Sequence, residues 1–166
     1  MPDYMERMRS IHDLLTEYPL PGSFRIAVGG EADIGQTRLS YKQAELCLRA
    51  AAILKQERPV LSYDTMGIFA LWGVDGPSQE LRAMCSRYVK PLKDYKKISN
   101  VDLIETLKVF FQNKQNYTKT GQDLFVHANT IRYRIEQVEH LCNVDFSNYL
   151  DVLNLQVALA CSPLVM

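Results

Sequence analysis

The sequence has no long apolar run and no clustered cysteine motif. No apolar stretch reaches the roughly 18 residues of a membrane-spanning helix, and the start of the chain lacks the apolar core of a signal peptide. The four cysteines are scattered, with no Cys-x-x-Cys pair, and this spacing indicates neither a disulfide framework nor a zinc site. The sequence therefore predicts a cytoplasmic protein, without a membrane interaction, whose cysteines are buried free thiols.

The sequence also lacks an excess of charge of either sign. Its 19 Lys+Arg balance 19 Asp+Glu, whereas nucleic-acid-binding domains are often strongly basic. Any contact with phosphate must therefore come from a local patch. The hydrophobic share of 47% and the charged share of 23% are those of a globular protein. A length of 166 residues allows one ordinary domain or two small ones.

Catalytic motifs are missing as well. There is no Walker-type glycine loop, and the carboxylates of Glu31, Asp64 and Asp75 are too far apart in sequence to indicate a magnesium site. The three histidines lack metal-ligand spacing. We therefore expect no enzyme activity, no cofactor and no bound metal.

Hydrophobic periodicity predicts an α+β protein that is predominantly helical. Apolar residues recur at helical spacing over 4–18 and across "SYKQAELCLRAAAILKQ", and short apolar runs at 24–28 and in "RPVLSYD" predict two strands. Pro91 is expected to interrupt the next helix. The polar joint "DYKKISN" then separates an α+β region, residues 1–95, from an all-helical region, residues 96–166.

The stretch from Tyr117 to Leu141 fits a helix-turn-helix arrangement. A short helix over 117–125 is followed by a tight connection at 126–128 and a longer helix. Tyr117, Gly121, Leu124 and Phe125 recur at i, i+4, i+7 and i+8, which places them on one inward side of the short helix. At about 100° per residue, the longer helix places one face inward (Ile131, Ile135, Val138, Cys142) and the opposite face outward (Asn129, Tyr133, Glu136, His140), with Arg132 and Arg134 flanking the outward face.

The first two turns of such a helix are those that reach base edges. They carry the candidate DNA contacts Asn129, Thr130, Arg132, Tyr133 and Arg134. Arginine suits guanine, asparagine suits adenine, and the hydroxyl groups suit phosphate oxygens. Lys119 and the first amides of the shorter helix would add phosphate contacts.

An ordinary amphipathic helix with solvated arginines is the alternative interpretation. Between residues 116 and 142, three basic side chains (Lys119, Arg132, Arg134) balance three acidic ones (Asp123, Glu136, Glu139). Electrostatics therefore do not decide between the two interpretations.

The segment "LFVHANTIRYRIEQVEHL", followed by "YLDVLNLQVALA", closely resembles the C-terminal helix-turn-helix of PucR/CdaR-type bacterial transcriptional regulators. The matching positions are Leu124, Val126, His127, Asn129, Thr130, Arg132, Tyr133 and Arg134. The resemblance implies DNA contacts at these polar positions, with His127 capping or orienting the turn. Ala128 stands where the family usually has arginine, and Gly121 where it usually has alanine.

The front half resembles, more weakly, the degenerate GGDEF-like domain of the same regulators, which has a partial ferredoxin-like fold. "FRIAVGG" and the helix and strand that follow fit its C-terminal portion. "GGEAD" at 29–33 is not the catalytic loop, because that loop precedes the helix predicted over 4–18. Any such loop would lie upstream of Met1, so we expect a C-terminal fragment or a protein shortened at its front.

The resemblance implies a sequence-specific transcriptional regulator that binds double-stranded DNA. A small sheet with an exposed edge favours a homodimer, and the effector would be a small molecule sensed by a domain absent from this chain. Two other hypotheses stay open: a non-catalytic protein-interaction module and, less favoured, a nucleotide-processing enzyme.

Overall fold

The chain divides into two compact units in the computed structural model, which describes residues 2–18 and 24–165. The front unit covers residues 1–78, and the back unit covers residues 79–166.

The division lies earlier than the polar joint suggested. Helix α3 runs from Gln79 to Ser99 and therefore crosses the expected boundary at residue 95. Its Tyr88, Val89 and Leu92 belong to the hydrophobic core of the back unit. Because these side chains are buried among the C-terminal helices, α3 is part of the back unit and not of the front one.

The front unit is a β-α-β arrangement with an additional N-terminal helix. Its elements are α1 (Pro2–Thr16), β1 (Ile26–Val28), α2 (Thr37–Ile53) and β2 (Val60–Ser62), with 3-10 turns at Ile34–Gln36, Tyr63–Thr65 and Gly67–Trp72. The strands pair in parallel, with Ile26 opposite Val60, and α2 makes the crossover between them. Both predicted strands are thus confirmed, and so is the predominantly helical character of the protein. The GGDEF-like assignment of this region stays a prediction.

The Gly29–Gly30 pair packs against α2. A Cβ on Gly29 would lie 1.9 Å from the carbonyl oxygen of Ser40, so no larger residue fits there. Ser40 Oγ donates to the Gly30 oxygen at 2.8 Å, and the Gly30 amide donates to Gln43 Oε1 at 2.8 Å. The two glycines therefore join β1 to α2 at close range, which accounts for them without a catalytic role.

The back unit consists of five helices around one core. They are α3, α4 (Leu103–Gln112), α5 (Tyr117–Asp123), α6 (Ala128–Cys142) and α7 (Tyr149–Val165). Helix α3 packs along α7, and α5 packs on α6. The largest fully buried side chain of the core is Phe110, whose ring lies 4.9 Å from that of Tyr117 and 6.0 Å from that of Phe146.

Pro91 does not interrupt its helix, contrary to the expectation from sequence. Helix α3 continues through it to Ser99, although a proline in a helix interior costs about 3 kcal/mol. Val89 and Leu92, on either side of the proline, are both 0% exposed. The burial of these side chains offsets the lost backbone hydrogen bond.

Helix α5 touches the connection to α6 through its backbone at Gly121. The Val126 amide donates to the Gly121 oxygen at 2.9 Å. A Cβ on Gly121 would lie 2.7 Å from the Val126 oxygen and 3.2 Å from the Ala128 nitrogen. These are backbone atoms and cannot rotate away. Glycine is therefore the residue that fits here without a displacement of the backbone.

Replacing Gly121 with alanine should lower the free energy of unfolding by about 1–3 kcal/mol. The new methyl group must displace the backbone of the turn, and this cost exceeds the gain of about 1 kcal/mol in helix propensity. Urea unfolding of the full chain, followed by circular dichroism, measures the difference. Gln122→Ala, at the exposed neighbouring position, is the matched control and should change stability by no more than about 0.5 kcal/mol. A more stable Gly121→Ala variant would contradict this account of the turn.

Candidate nucleic-acid interface

The four residues from Leu124 to His127 join helices α5 and α6. Leu124 and Val126 pack against the core of the back unit, and they fix the connection to the rest of the domain. The short helix, tight turn and longer helix expected from the sequence are therefore present.

Helix α6 has the two faces that its sequence predicts. Ile131, Ile135, Val138 and Cys142 are buried. The opposite face, with Asn129, Tyr133, Glu136 and His140, is exposed. The helix is thus anchored along one side, and its first turns remain accessible on the other.

Arg132 is exposed and is held in place by two neighbours. Its Nη1 donates to Asn129 Oδ1 at 3.3 Å, and its Cζ lies 5.6 Å from the centre of the Tyr117 ring. The ring belongs to the first residue of α5, so the guanidinium bridges the two helices. Helical spacing predicts Arg132 on this surface, but it does not predict Tyr117 as the support of the guanidinium, because it assigns Tyr117 only to the inner side of α5.

Tyr133 and Thr130 differ in accessibility. Tyr133 is 56% exposed, whereas Thr130 is half-buried. Both therefore present polar groups near the start of α6, the phenol more fully than the smaller hydroxyl.

Arg134 has a different environment from Arg132. It is half-buried, and its Nη1 donates to Thr106 Oγ1 on α4 at 3.0 Å. Thr106 is 1% exposed, so the bond joins α6 to the domain interior. One side of the guanidinium is committed to this bond, and any contact with DNA is restricted to the rest of the group.

His127 occupies the N-cap position of α6 but does not cap it with its side chain. Its backbone is extended, with φ −68° and ψ 149°, and the imidazole makes no capping hydrogen bond. A capping hydrogen bond from the imidazole is therefore not formed, and the alternative role of His127 in orienting the turn stays a prediction. The imidazole is exposed and remains accessible beside the first amides of the helix.

The start of α5 is capped by Asn116. Its Oδ1 accepts the Lys119 amide at 2.9 Å, so this amide is already paired, contrary to the expectation that it would be available to phosphate. The Lys119 side chain itself is exposed, and its contact with phosphate stays a prediction.

Phe125 lies outside the core, and its expected inward position is wrong. Its side chain is 94% exposed, and its φ of +56° is left-handed. This conformation ends the helical periodicity one residue after Leu124, so the i+8 spacing that assigned Phe125 inward no longer applies.

The cysteine thiols are buried, and the side chains that could bind a metal ion are far from one another in the part of the chain that the structure describes. Burial raises the pKa of Cys142 to about 12 and that of Cys47 to about 11. Within residues 2–18 and 24–165, no three histidine, cysteine or acidic side chains are grouped closely enough to hold a metal ion. Nor does any helix of these segments have the length and apolar character needed to cross a bilayer.

Comparison with known proteins gives a family match for this region. Residues 103–161 match the model of the PucR C-terminal helix-turn-helix domain. The chain is 35% identical over 161 residues to the carbohydrate diacid regulator of Escherichia coli, covering 95% of this chain and 41% of that protein. It is 26% identical over 144 residues to the proline-responsive transcriptional activator PutR of Bacillus subtilis, covering 84% of this chain and 35% of that protein.

A third relative is the DNA-binding transcriptional activator AdeR of Bacillus subtilis. It is 24% identical over 136 residues, which cover 76% of this chain and 32% of that protein. The matched part of the chain thus spans between 32% and 41% of the length of these three relatives.

Arg134→Ala should lower the free energy of unfolding by about 1–2 kcal/mol, since it removes a hydrogen bond from a charged donor to a buried hydroxyl group. Arg132→Ala is the matched control. It removes an exposed guanidinium from an aromatic ring and should cost less than about 1 kcal/mol. Urea unfolding of both variants measures the difference.

A double-mutant cycle with Thr106→Val separates this bond from general packing. The two substitutions should be coupled by about 1 kcal/mol, because either one alone already breaks the bond. Additive effects would show that Arg134 does not stabilise α6 through Thr106.

Proposed function

We propose, from the match of residues 103–161 to the PucR C-terminal helix-turn-helix domain, that the chain is a transcriptional regulator that reads duplex DNA with the first turns of α6. The protein acts without enzymatic turnover, in the bacterial cytoplasm where the chromosome lies. The relatives named above are regulators and activators of transcription.

The observation that carries the proposal is the exposed start of α6. Asn129, Arg132 and Tyr133 are accessible there, while the opposite face is buried in the core. A helix presented in this way can enter the major groove by its N-terminal end. Glu136, further along the exposed face, would repel phosphate, which favours an approach through the first two turns.

The side chains divide into base-reading and phosphate-binding groups. Arg132 is suited to the O6 and N7 atoms of guanine, and Asn129 to adenine. Their mutual hydrogen bond reduces the freedom of both before binding. Lys119 and the Tyr133 hydroxyl are suited to phosphate oxygens, which position the helix without reading sequence.

The remaining predicted contacts have supporting roles. Thr130 offers its hydroxyl to a phosphate, and His127 offers a ring nitrogen beside the first amides of α6, where helix termini attract anions. Arg134 contributes to phosphate binding with the part of its guanidinium not bound to Thr106. Ala128 supplies no charge, so the family's usual arginine contact at this position is missing.

A homodimer would supply two reading helices. The sheet of the front unit has two strands of three residues, and each strand keeps one edge unpaired among the described residues. Unpaired edges can favour pairing with a second chain, and β1, whose residues are half-buried, is less covered than the buried β2. Two copies related by a two-fold axis would read half-sites roughly 34–36 Å apart. In this proposal the front region is a GGDEF-like scaffold, and a small-molecule effector acts through a further domain.

A protein-interaction module is the second candidate. It is favoured by exposed apolar side chains at the start of α7, where Tyr149 is 73% and Leu150 61% exposed. Such a patch suits another protein better than a polyanion.

Arg132→Ala should remove sequence preference. Duplexes selected from a random pool by the full chain provide the operator, and equilibrium binding is then compared between this operator and a scrambled duplex. Losing a bidentate contact with guanine should reduce discrimination by about 1–3 kcal/mol. Unchanged discrimination would refute the base-reading role of Arg132.

Lys119→Ala is the companion variant for a phosphate contact. It should weaken binding to all duplexes alike and reduce the slope of log K against log salt by about 1. If no sequence emerges from selection and binding does not depend on salt, the protein-interaction module becomes the better account.

A further inference from the structure

Phe125 combines two features that are unfavourable in the isolated domain. Its side chain is 94% exposed, although phenylalanine is among the residues that most favour burial. Its backbone has a φ of +56°, a left-handed conformation that favours glycine or asparagine at the end of a helix. Glycine at this position would avoid both costs, so the stability of the domain does not explain a phenylalanine here.

The backbone around Phe125 is nevertheless well defined. The Phe125 amide donates to the Gln122 oxygen at 3.2 Å, and the next amide, that of Val126, donates to the Gly121 oxygen at 2.9 Å. Leu124 and Val126, on either side, pack against the core. The ring is therefore presented to solvent from a fixed support and not from a loose loop.

The surroundings of the ring indicate what it meets. Phe125 borders an open recess of about 440 Å³, which it shares with Thr118, Gln122 and His127. The recess reaches Ala128 at the start of α6, where the reading residues begin. Gly121 and Val126 also line the recess, and Phe125 is its one large exposed apolar side chain. A single exposed ring differs from the broad apolar patch expected of a protein-docking surface. Such a ring suits a DNA groove in which a single apolar group lies among polar base atoms.

Thymine offers such a group. Its C5-methyl lies in the major groove, and phenylalanine is one of the side chains that contact it. We infer that Phe125 reads the C5-methyl group of a thymine next to the bases contacted by α6. This inference rests on the function proposed above. It adds an apolar contact, so that the preference for thymine comes from the turn between α5 and α6 and not from α6 itself.

The test uses deoxyuridine, which differs from thymidine only by this methyl group. In the duplex selected by the full chain, each dT is replaced in turn by dU, and binding is measured by fluorescence anisotropy. One replacement in each half-site should weaken binding by the wild-type chain about fourfold, the value of one buried methylene-sized group. Phe125→Gly should bind the dT and dU duplexes equally.

Phe125→Gly keeps the turn intact, because glycine accepts a positive φ. Its melting temperature should equal or exceed that of the wild type, which separates loss of contact from loss of fold. Tyr149→Ala, at an aromatic residue 73% exposed on α7, is the matched control and should keep the preference for dT.

Three outcomes would overturn the inference. If Phe125→Gly retains the full dT preference, the ring does not read the methyl group. If it binds every duplex more weakly by one common factor, and dU has no effect on the wild type, the ring contacts the sugar-phosphate backbone instead. If the wild-type chain selects no sequence at all, the proposed function fails and the role of Phe125 fails with it.

Discussion

The backbone contact at Gly121 sets the direction in which α6 leaves α5. The Val126 oxygen and the Ala128 nitrogen approach the Cα of Gly121 so closely that a side chain would displace them. With this distance fixed, Leu124 and Val126 reach the core on one side of the turn, and Phe125 is left on the other. The exposed surface that we assign to DNA is therefore a consequence of one close approach between two short backbone segments.

The same geometry gives the two arginines of α6 different roles. Arg132 and Arg134 are two residues apart and have the same intrinsic chemistry. Arg132 faces solvent across the Tyr117 ring, whereas Arg134 turns toward Thr106 on α4. A guanidinium that is bound to the interior stabilises the helix, and one that is supported only at the surface remains available to a base. In the function proposed here, position on the helix leaves Arg132 for base recognition, whereas Arg134 mainly supports α6.

Elements that are marked by a periodic pattern of apolar residues were predictable from the sequence. The inward face of α6 follows from apolar residues at helical spacing, and both strands follow from short apolar runs. The exceptions share a physical cause. Pro91 stays within α3 because burial in the core offsets a local penalty, and Phe125 leaves the inner face because one left-handed residue ends the helical period. His127 occupies the N-cap and accepts the Thr130 amide with its carbonyl oxygen, but its side chain makes no capping hydrogen bond, which no spacing rule reveals.

The sequence by itself determined the helix-turn-helix motif, its resemblance to the PucR C-terminal domain and the residues on the exposed face of α6, since these depend on residue type and on helical spacing. Tertiary structure alone decided that α3 belongs to the back unit, that Arg134 binds Thr106 and that the Phe125 ring points into solvent. Each of these depends on contacts between residues distant in sequence or on a single backbone angle. The free energy of such contacts comes from packing and burial, which depend on how distant residues meet and cannot be deduced from the order of residues along the chain.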